Sequence, residues 1–137
     1  MDAIQLLGYD VAPDVGQDGD ALHLTLYYLP LELIGQRYTV FLHLMGPEDP
    51  DTGSRLWAQD DSEPCRGFYP TTSWNAGEIL VDRVGLFIPP DAPPGEYELA
   101  MGFYDVWSGQ RLLVTEATVP TEHNVVSLGT VTVVGPQ

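Results

Sequence analysis

The chain has 137 residues, 44% of them hydrophobic, and it sets 20 Asp and Glu against five Arg and no Lys. Residues 1–137 are expected to form a single domain with its own core, because this length suits one domain and the composition is too apolar for disorder. The net charge of −15 argues against nucleic acid and anionic lipid surfaces, which attract basic proteins. The single cysteine, Cys65, excludes an intramolecular disulfide.

Apolar and polar side chains alternate with period two along residues 20–29, 36–45 and 96–104, a pattern typical of half-buried β-strands. The predicted core faces of these three segments consist of Leu22, Leu24, Leu26 and Tyr28; Tyr38, Val40, Leu42 and Leu44; and Tyr97, Leu99, Met101 and Phe103. Weaker alternation predicts further strands at residues 4–9, 55–59, 79–88, 111–116 and 125–134.

Turn-forming residues separate these segments, since the chain contains 14 Gly and 12 Pro and no long helical period. Residues 29–36 and 60–76 are predicted loops, and residues 87–95 carry four prolines that cannot donate to a strand ladder. Ser108-Gly109 predicts a hairpin turn within residues 105–110. About eight strands in this arrangement predict an all-β fold, an antiparallel two-sheet β-sandwich of immunoglobulin-like or jelly-roll-like type.

Several motifs in chain order carry a resemblance to a known family. They are residues 24–28 (LTLYY), 38–44 (YTVFLHL), 69–74 (YPTTSW), 93–99 (PPGEYEL), 102–105 (GFYD) and 109–112 (GQRL), with Gly77, Glu78 and Asp82. Together they resemble the C-terminal β-sandwich domain of bacterial membrane glycosyltransferases of the dolichyl-phosphate-mannose mannosyltransferase-like type. The similarity extends over nearly the whole chain.

The resemblance implies an extracytoplasmic, non-catalytic accessory domain that is tethered to the membrane through a parent protein. In such enzymes the catalytic acid lies in the membrane region, so no catalytic residue is transferred to this chain. The chain itself contains no apolar stretch of the roughly 18 to 20 residues that a membrane helix requires. The implied partners are carbohydrate and the membrane domain of the parent enzyme, and no cofactor is implied. The oligomeric state is not predicted.

Sugar binding is the most specific functional hypothesis. Sugar sites pair flat aromatic rings with hydrogen-bonding groups, and this sequence offers both. The candidate ligand-binding residues are Phe41, His43, Trp57, Tyr69 and Trp107. Phe41 and His43 alternate with the predicted core face and are expected to point outward. If residues 96–104 form the neighbouring strand, the small Ala100 and Gly102 would leave a shallow trough beside Phe41.

Two other chemistries have simpler explanations. The acidic clusters at residues 48–51 and 60–63 offer oxygen ligands for calcium, but turn-forming Asp explains them without a metal, and no metal site is predicted. Arg66 beside Cys65 could lower the pKa of the thiol, although a loop cysteine without a partner is the simpler interpretation. The chain alone is not expected to be an enzyme.

The alternatives to a glycosyltransferase accessory domain are a free-standing cell-surface carbohydrate-binding module and a ligand-free scaffold or dimerisation domain. The aromatic residues also have structural explanations: Trp74 could close one end of the sandwich, and Trp57 could belong to the core.

Overall fold

The computed structural model describes residues 4–13, 15–17, 19–112, 114–115, 121–122 and 125–135. These ranges contain eleven β-strands and two short 3₁₀ turns, and they contain no α-helix. The strands are β1 (Ile4–Ala12), β2 (Val15–Gln17), β3 (Ala21–Pro30), β4 (Thr39–Met45), β5 (Leu56–Ser62), β6 (Leu80–Phe87), β7 (Gly95–Tyr104), β8 (Arg111–Leu112), β9 (Val114–Thr115), β10 (Thr121–Glu122) and β11 (Val125–Val134). The 3₁₀ turns are Pro64–Gly67 and Thr71–Ser73.

The strands form two sheets. The small sheet has four strands in the order β6-β3-β1-β9, and the large sheet has seven, with the main path β10-β11-β7-β4-β5. In the large sheet β2 pairs with β11, and β8 pairs with β7. The central pairs are antiparallel, whereas the short strands β9 and β2 pair in parallel with β1 and β11. The predicted all-β, two-sheet sandwich is therefore confirmed.

The core lies between the sheets, and it is built from the faces that the period-two pattern predicted. Every predicted core residue of the three strongly alternating segments is buried, from Leu22 to Phe103. Branched and aromatic side chains interdigitate there because each strand directs alternate residues to the same side. The alternation in the sequence thus identified the interior correctly.

The strand boundaries differ from prediction at several places. All eight predicted segments contain strand, but β1 extends to Ala12, β5 extends to Ser62, and the segment 111–116 contains both β8 and β9. The short strands β2 and β10 were not predicted. Val15–Gln17 is too short to show an alternation, and its pairing partner in β11 lies more than a hundred residues further along the chain.

The predicted loop at residues 60–76 is an organised segment that fixes the approach to β4. Thr71, which is buried, donates its hydroxyl to the carbonyl of Gln36 (2.6 Å) and accepts from the backbone N–H of Tyr38 (3.0 Å). Trp74 is buried beside it, which confirms its structural interpretation as a residue that closes the sandwich interior. Both hydrogen bonds flank Arg37, so Thr71 holds the backbone at that position.

Candidate functional site

The hairpin turn between β7 and β8 presents an exposed tryptophan. The backbone N–H of Asp105 bonds to the carbonyl of Gln110 (2.9 Å), and that of Gly109 bonds to the carbonyl of Asp105 (2.7 Å). The Asp105 carboxylate also accepts from the backbone N–H of Trp107 and from the hydroxyl of Ser108, each at 3.1 Å. This turn confirms the Ser108-Gly109 prediction, and it leaves the Trp107 side chain 93% exposed.

An ion pair lies across from this turn. The Arg37 guanidinium donates twice to the Glu63 carboxylate, from Nε to Oε2 at 2.8 Å and from Nη2 to Oε1 at 2.7 Å. Such a fork constrains both side chains in one plane, and the hydrogen bond to Glu63 raises the pKa of Arg37 above its ordinary value. Arg37 therefore stays charged and oriented beside Trp107.

Arg37 and Trp107 line a shallow groove, which we call the Trp107 groove. It consists of two depressions of about 270 and about 300 Å³ that have these two residues in common. The remaining lining residues are Gln36, Thr39, Glu63, Asp105 and Val106. The groove thus combines one open indole face with amide, hydroxyl, guanidinium and carboxylate groups at its sides. That combination suits a small polyhydroxylated ligand with an apolar C–H face.

Phe41 and His43 project from the outer face of the large sheet, as predicted, but Phe41 is not available to a ligand. Only 3% of Phe41 is exposed, because the Arg111 guanidinium carbon lies 4.9 Å from the ring centroid and the rings of His43 and Tyr104 lie at 5.0 and 6.1 Å. The expectation of an open ring at Phe41 is therefore wrong.

The predicted trough beside Phe41 is present, but the Arg111 side chain occupies it and covers the ring. Strand β7 does lie next to β4, with Gly102 opposite Phe41 and Ala100 opposite His43. Arg111 belongs to β8, which pairs with β7. Its side chain extends over these small residues of β7 and reaches the Phe41 ring. Arg111 thus makes a cation–π contact where a ligand was expected.

His43 is half-buried on the same face. Burial lowers the pKa of its imidazole below the ordinary value, and Arg111 lowers it further, while Asp61 acts in the opposite direction. Burial and Arg111 therefore disfavour the protonated imidazolium. It packs beside Phe41 at some distance in the sheet from the Trp107 groove, whose linings do not include it.

Trp57 and Tyr69 are engaged in the structure of the sandwich. Both are partly buried against the core. The Trp57 indole donates to the carbonyl of Pro47 (2.7 Å), and the Tyr69 hydroxyl donates to Glu78 Oε1 (2.6 Å). The structure therefore does not bring the five predicted residues together. Of these five, only Trp107 lines the groove.

The sequence alone does not indicate the other groove residues. Arg37 and Glu63 are 26 positions apart, and their pairing depends on the packing of the segment 60–76 against the start of β4. Gln36 and Asp105 carry no motif of their own. The only local signal was the turn sequence around Ser108-Gly109, which marks where an exposed side chain would be presented.

The acidic clusters mainly serve turns and ion pairs. The Asp49 carboxylate accepts from the backbone N–H of Asp51 (2.9 Å), and Asp60 pairs with Arg66 (3.3 Å). Asp61 accepts from the hydroxyl of Tyr104 at 2.8 Å. Among the residues that the structure describes, no three His, Cys, Asp or Glu side chains are grouped so that they could hold a metal ion.

Cys65 has the opposite electrostatic environment to the one considered from the sequence. Burial raises the pKa of its thiol, and the nearby Asp82 raises it further. Arg66 instead pairs with Asp60. Both effects disfavour the thiolate, which is the reactive form of cysteine.

Comparisons with known proteins agree on the fold. No protein-family model and no curated protein matches the chain. Among solved structures, a CARDB domain from Pyrococcus furiosus, crystallised in complex with di-metal ions, has a TM-score of 0.54 at 15% identity and covers 98% of this chain and 96% of its own. A Niemann-Pick type C2 protein from the Japanese carpenter ant has a TM-score of 0.53 at 10% identity, with coverages of 95% and 92%.

A third match is part of a larger protein. A β-glucosidase from Erythrobacter marinus has a TM-score of 0.56 at 12% identity, and the match covers 97% of this chain but 16% of the glucosidase. At such low identities these likenesses show the fold alone. They support the immunoglobulin-like β-sandwich.

No helix within the described ranges is long and apolar enough to cross a membrane.

Proposed function

We propose that this chain is an extracytoplasmic, non-catalytic accessory domain of a membrane glycosyltransferase, and that it binds a sugar in the Trp107 groove. The observation that carries the sugar-binding part is the Trp107 indole, 93% exposed on a hydrogen-bonded turn and flanked by the Arg37–Glu63 ion pair. An indole left in water has no structural role of its own in the fold. The attachment to a glycosyltransferase rests on the sequence motifs that resemble that family's C-terminal domain.

The groove favours a neutral sugar over a charged one. Glu63 already satisfies the charge of Arg37, and Asp105 adds a further carboxylate to the lining. An anionic sugar would meet this excess of negative charge and the chain's net charge of −15. A neutral pyranose would stack its C–H face on the indole and exchange hydrogen bonds with the amide and carboxylate groups.

Removing the indole is expected to weaken sugar binding at least tenfold. Wild-type chain and Trp107→Ala are compared by isothermal titration calorimetry with the neutral oligosaccharides selected on a glycan array. We expect wild-type dissociation constants between about 1 μM and 1 mM, and at least a tenfold increase in Trp107→Ala. Unchanged affinity in Trp107→Ala would contradict the proposal, as would the absence of any glycan bound by the wild-type chain.

The matched control is Phe68→Ala. Phe68 is another aromatic residue on the surface, 90% exposed, but it follows the first 3₁₀ turn and does not line the groove. We expect Phe68→Ala to bind as the wild type does. Equal losses in both variants would indicate nonspecific contact with exposed aromatic residues.

A free-standing cell-surface carbohydrate-binding module would use the same groove. The two alternatives differ in attachment, since the accessory domain requires a reading frame that continues into membrane-spanning segments upstream. Inspection of the neighbouring coding sequence separates them without changing the binding experiment.

A further inference from the structure

The outer face of the small sheet carries an exposed apolar patch away from the Trp107 groove. Tyr27 of the central strand β3 has Gly8 of β1, at a β-bulge, on one side and Val81 of β6 on the other. Three aliphatic residues at this end are substantially exposed: Leu7 at 42%, Ile79 at 62% and Val81 at 41%. The loop after β3 exposes two further aliphatic residues, Leu31 at 49% and Leu33 at 75%, on either side of the exposed Glu32. A group of exposed apolar residues on one sheet face often marks an interaction site.

The next row of the same face carries a balanced pair of charges. Thr25 of β3 has Asp10 of β1 on one side and Arg83 of β6 on the other. The Tyr27 hydroxyl donates to Asp10 Oδ2 at 3.0 Å, which holds this carboxylate on the outer face. The other carboxylate of these strands, Asp82, is buried inward. In a chain with a net charge of −15, the strands β1, β3 and β6 therefore present one acid and one base on this face.

We propose that a second copy of this chain docks on this face and forms a two-fold symmetric dimer. A two-fold axis parallel to β3 places β1 of one copy opposite β6 of the other. It thereby places Asp10 against Arg83 of the second copy twice, and Leu7 against Val81. The aligned packing of two sheets is a common geometry for such faces, and an isologous interface requires this kind of self-complementarity.

Charge selects a second copy as the occupant. Two chains of net charge −15 repel each other over most of their surfaces, so self-association requires a face that is locally neutral and complementary to itself. The Asp10 and Arg83 row satisfies this requirement, and the apolar patch beside it supplies area to bury. The Trp107 groove is lined by other residues, from the end of the loop before β4, from Thr39 of β4, from Glu63 after β5 and from the β7–β8 turn.

Charge exchange tests the proposed register. Sedimentation equilibrium of the full chain at concentrations up to about 1 mM is expected to show a dimer. Asp10→Arg and Arg83→Asp should each raise the dissociation constant at least tenfold, because like charges then face each other across the axis. The double variant Asp10→Arg/Arg83→Asp should recover the wild-type value. Val81→Glu should also weaken the dimer at least tenfold.

The control variant is Val106→Glu, which places a new charge at an exposed apolar position on the β7–β8 turn. It should dimerise as the wild type does, and so should Trp107→Ala, whatever its effect on sugar binding. A chain that is monomeric over the whole concentration range overturns the proposal. A dimer that is insensitive to Val81→Glu, or one that the double exchange fails to restore, also overturns it.

Discussion

Replacing Trp74 with Ala is expected to lower the free energy of unfolding by about 3–5 kcal/mol, the usual cost of removing a large buried aromatic side chain. Trp74 is 1% exposed, and its ring stacks on Tyr28 with centroids 5.7 Å apart. Its indole N–H donates to the carbonyl of Tyr69 at 2.9 Å. The substitution therefore removes packing and also leaves a carbonyl without this donor.

The measurement is chemical denaturation followed by circular dichroism, with Trp107→Ala as the matched control. Both variants remove one indole, but Trp107 is 93% exposed, so its loss should change stability by no more than about 0.5 kcal/mol. Similar losses in the two variants would contradict the assignment of Trp74 to the interior. Because Trp74 packs near the turn of Thr71, Trp74→Ala should also weaken sugar binding by loosening Arg37.

The buried carboxylate Asp82 gives the second large effect. It is 4% exposed and accepts hydrogen bonds from the backbone N–H of Cys65 (3.0 Å) and from the hydroxyl of Tyr28 (3.4 Å). Cys65 and Arg66 adopt left-handed backbone angles, with φ of 55° and 57°, which non-glycine residues rarely adopt. Asp82→Ala leaves both donors without this acceptor, and we expect it to cost about 1–3 kcal/mol.

Asp82→Asn should behave differently, because it retains an oxygen for Cys65 and removes the buried charge. Burial raises the pKa of Asp82 above its ordinary value, while the hydrogen bonds from Cys65 and Tyr28 and the charge of Arg66 act in the opposite direction. An acid with a raised folded-state pKa stabilises the fold most below its ordinary pKa, and this contribution is lost as the pH rises through the folded-state value.

The stability of Asp82→Asn relative to the wild type should therefore increase as the pH rises from below the ordinary Asp pKa to neutrality. Denaturation midpoints of the wild type, Asp82→Asn and Asp82→Ala between acidic and neutral pH give this comparison. A pH-independent difference between the wild type and Asp82→Asn would show that the ionisation of Asp82 does not affect folding.

The fold could be predicted because the alternation that identifies each long strand lies within that strand's own sequence. Leu22, Leu24 and Leu26 alternate with polar residues within one strand, and such alternation identifies a buried face whatever the partner strand is. The short strands carry no comparable signal. Val15–Gln17 is defined by its pairing with β11, and that pairing depends on how the sheets assemble.

The site was less predictable because it depends on side chains from distant segments. Phe41 does point outward as its position in the alternation requires, but the alternation cannot show that Arg111, 70 positions later, lies over the ring. Likewise, the carbonyl of Pro47 that accepts from Trp57 is supplied by the turn before β5. Trp107 is the exception, because the turn residues around it indicate its exposure directly.

The three indole N–H groups of the chain give the most direct test of sugar binding in the Trp107 groove. Those of Trp57 and Trp74 donate to the carbonyls of Pro47 and Tyr69, whereas Trp107 is exposed on its turn. In a titration of the ¹⁵N-labelled chain with a neutral oligosaccharide, the indole signal of Trp107 should shift and saturate while the signals of Trp57 and Trp74 stay in place. A Trp107 signal that does not move while the sugar binds would contradict this account.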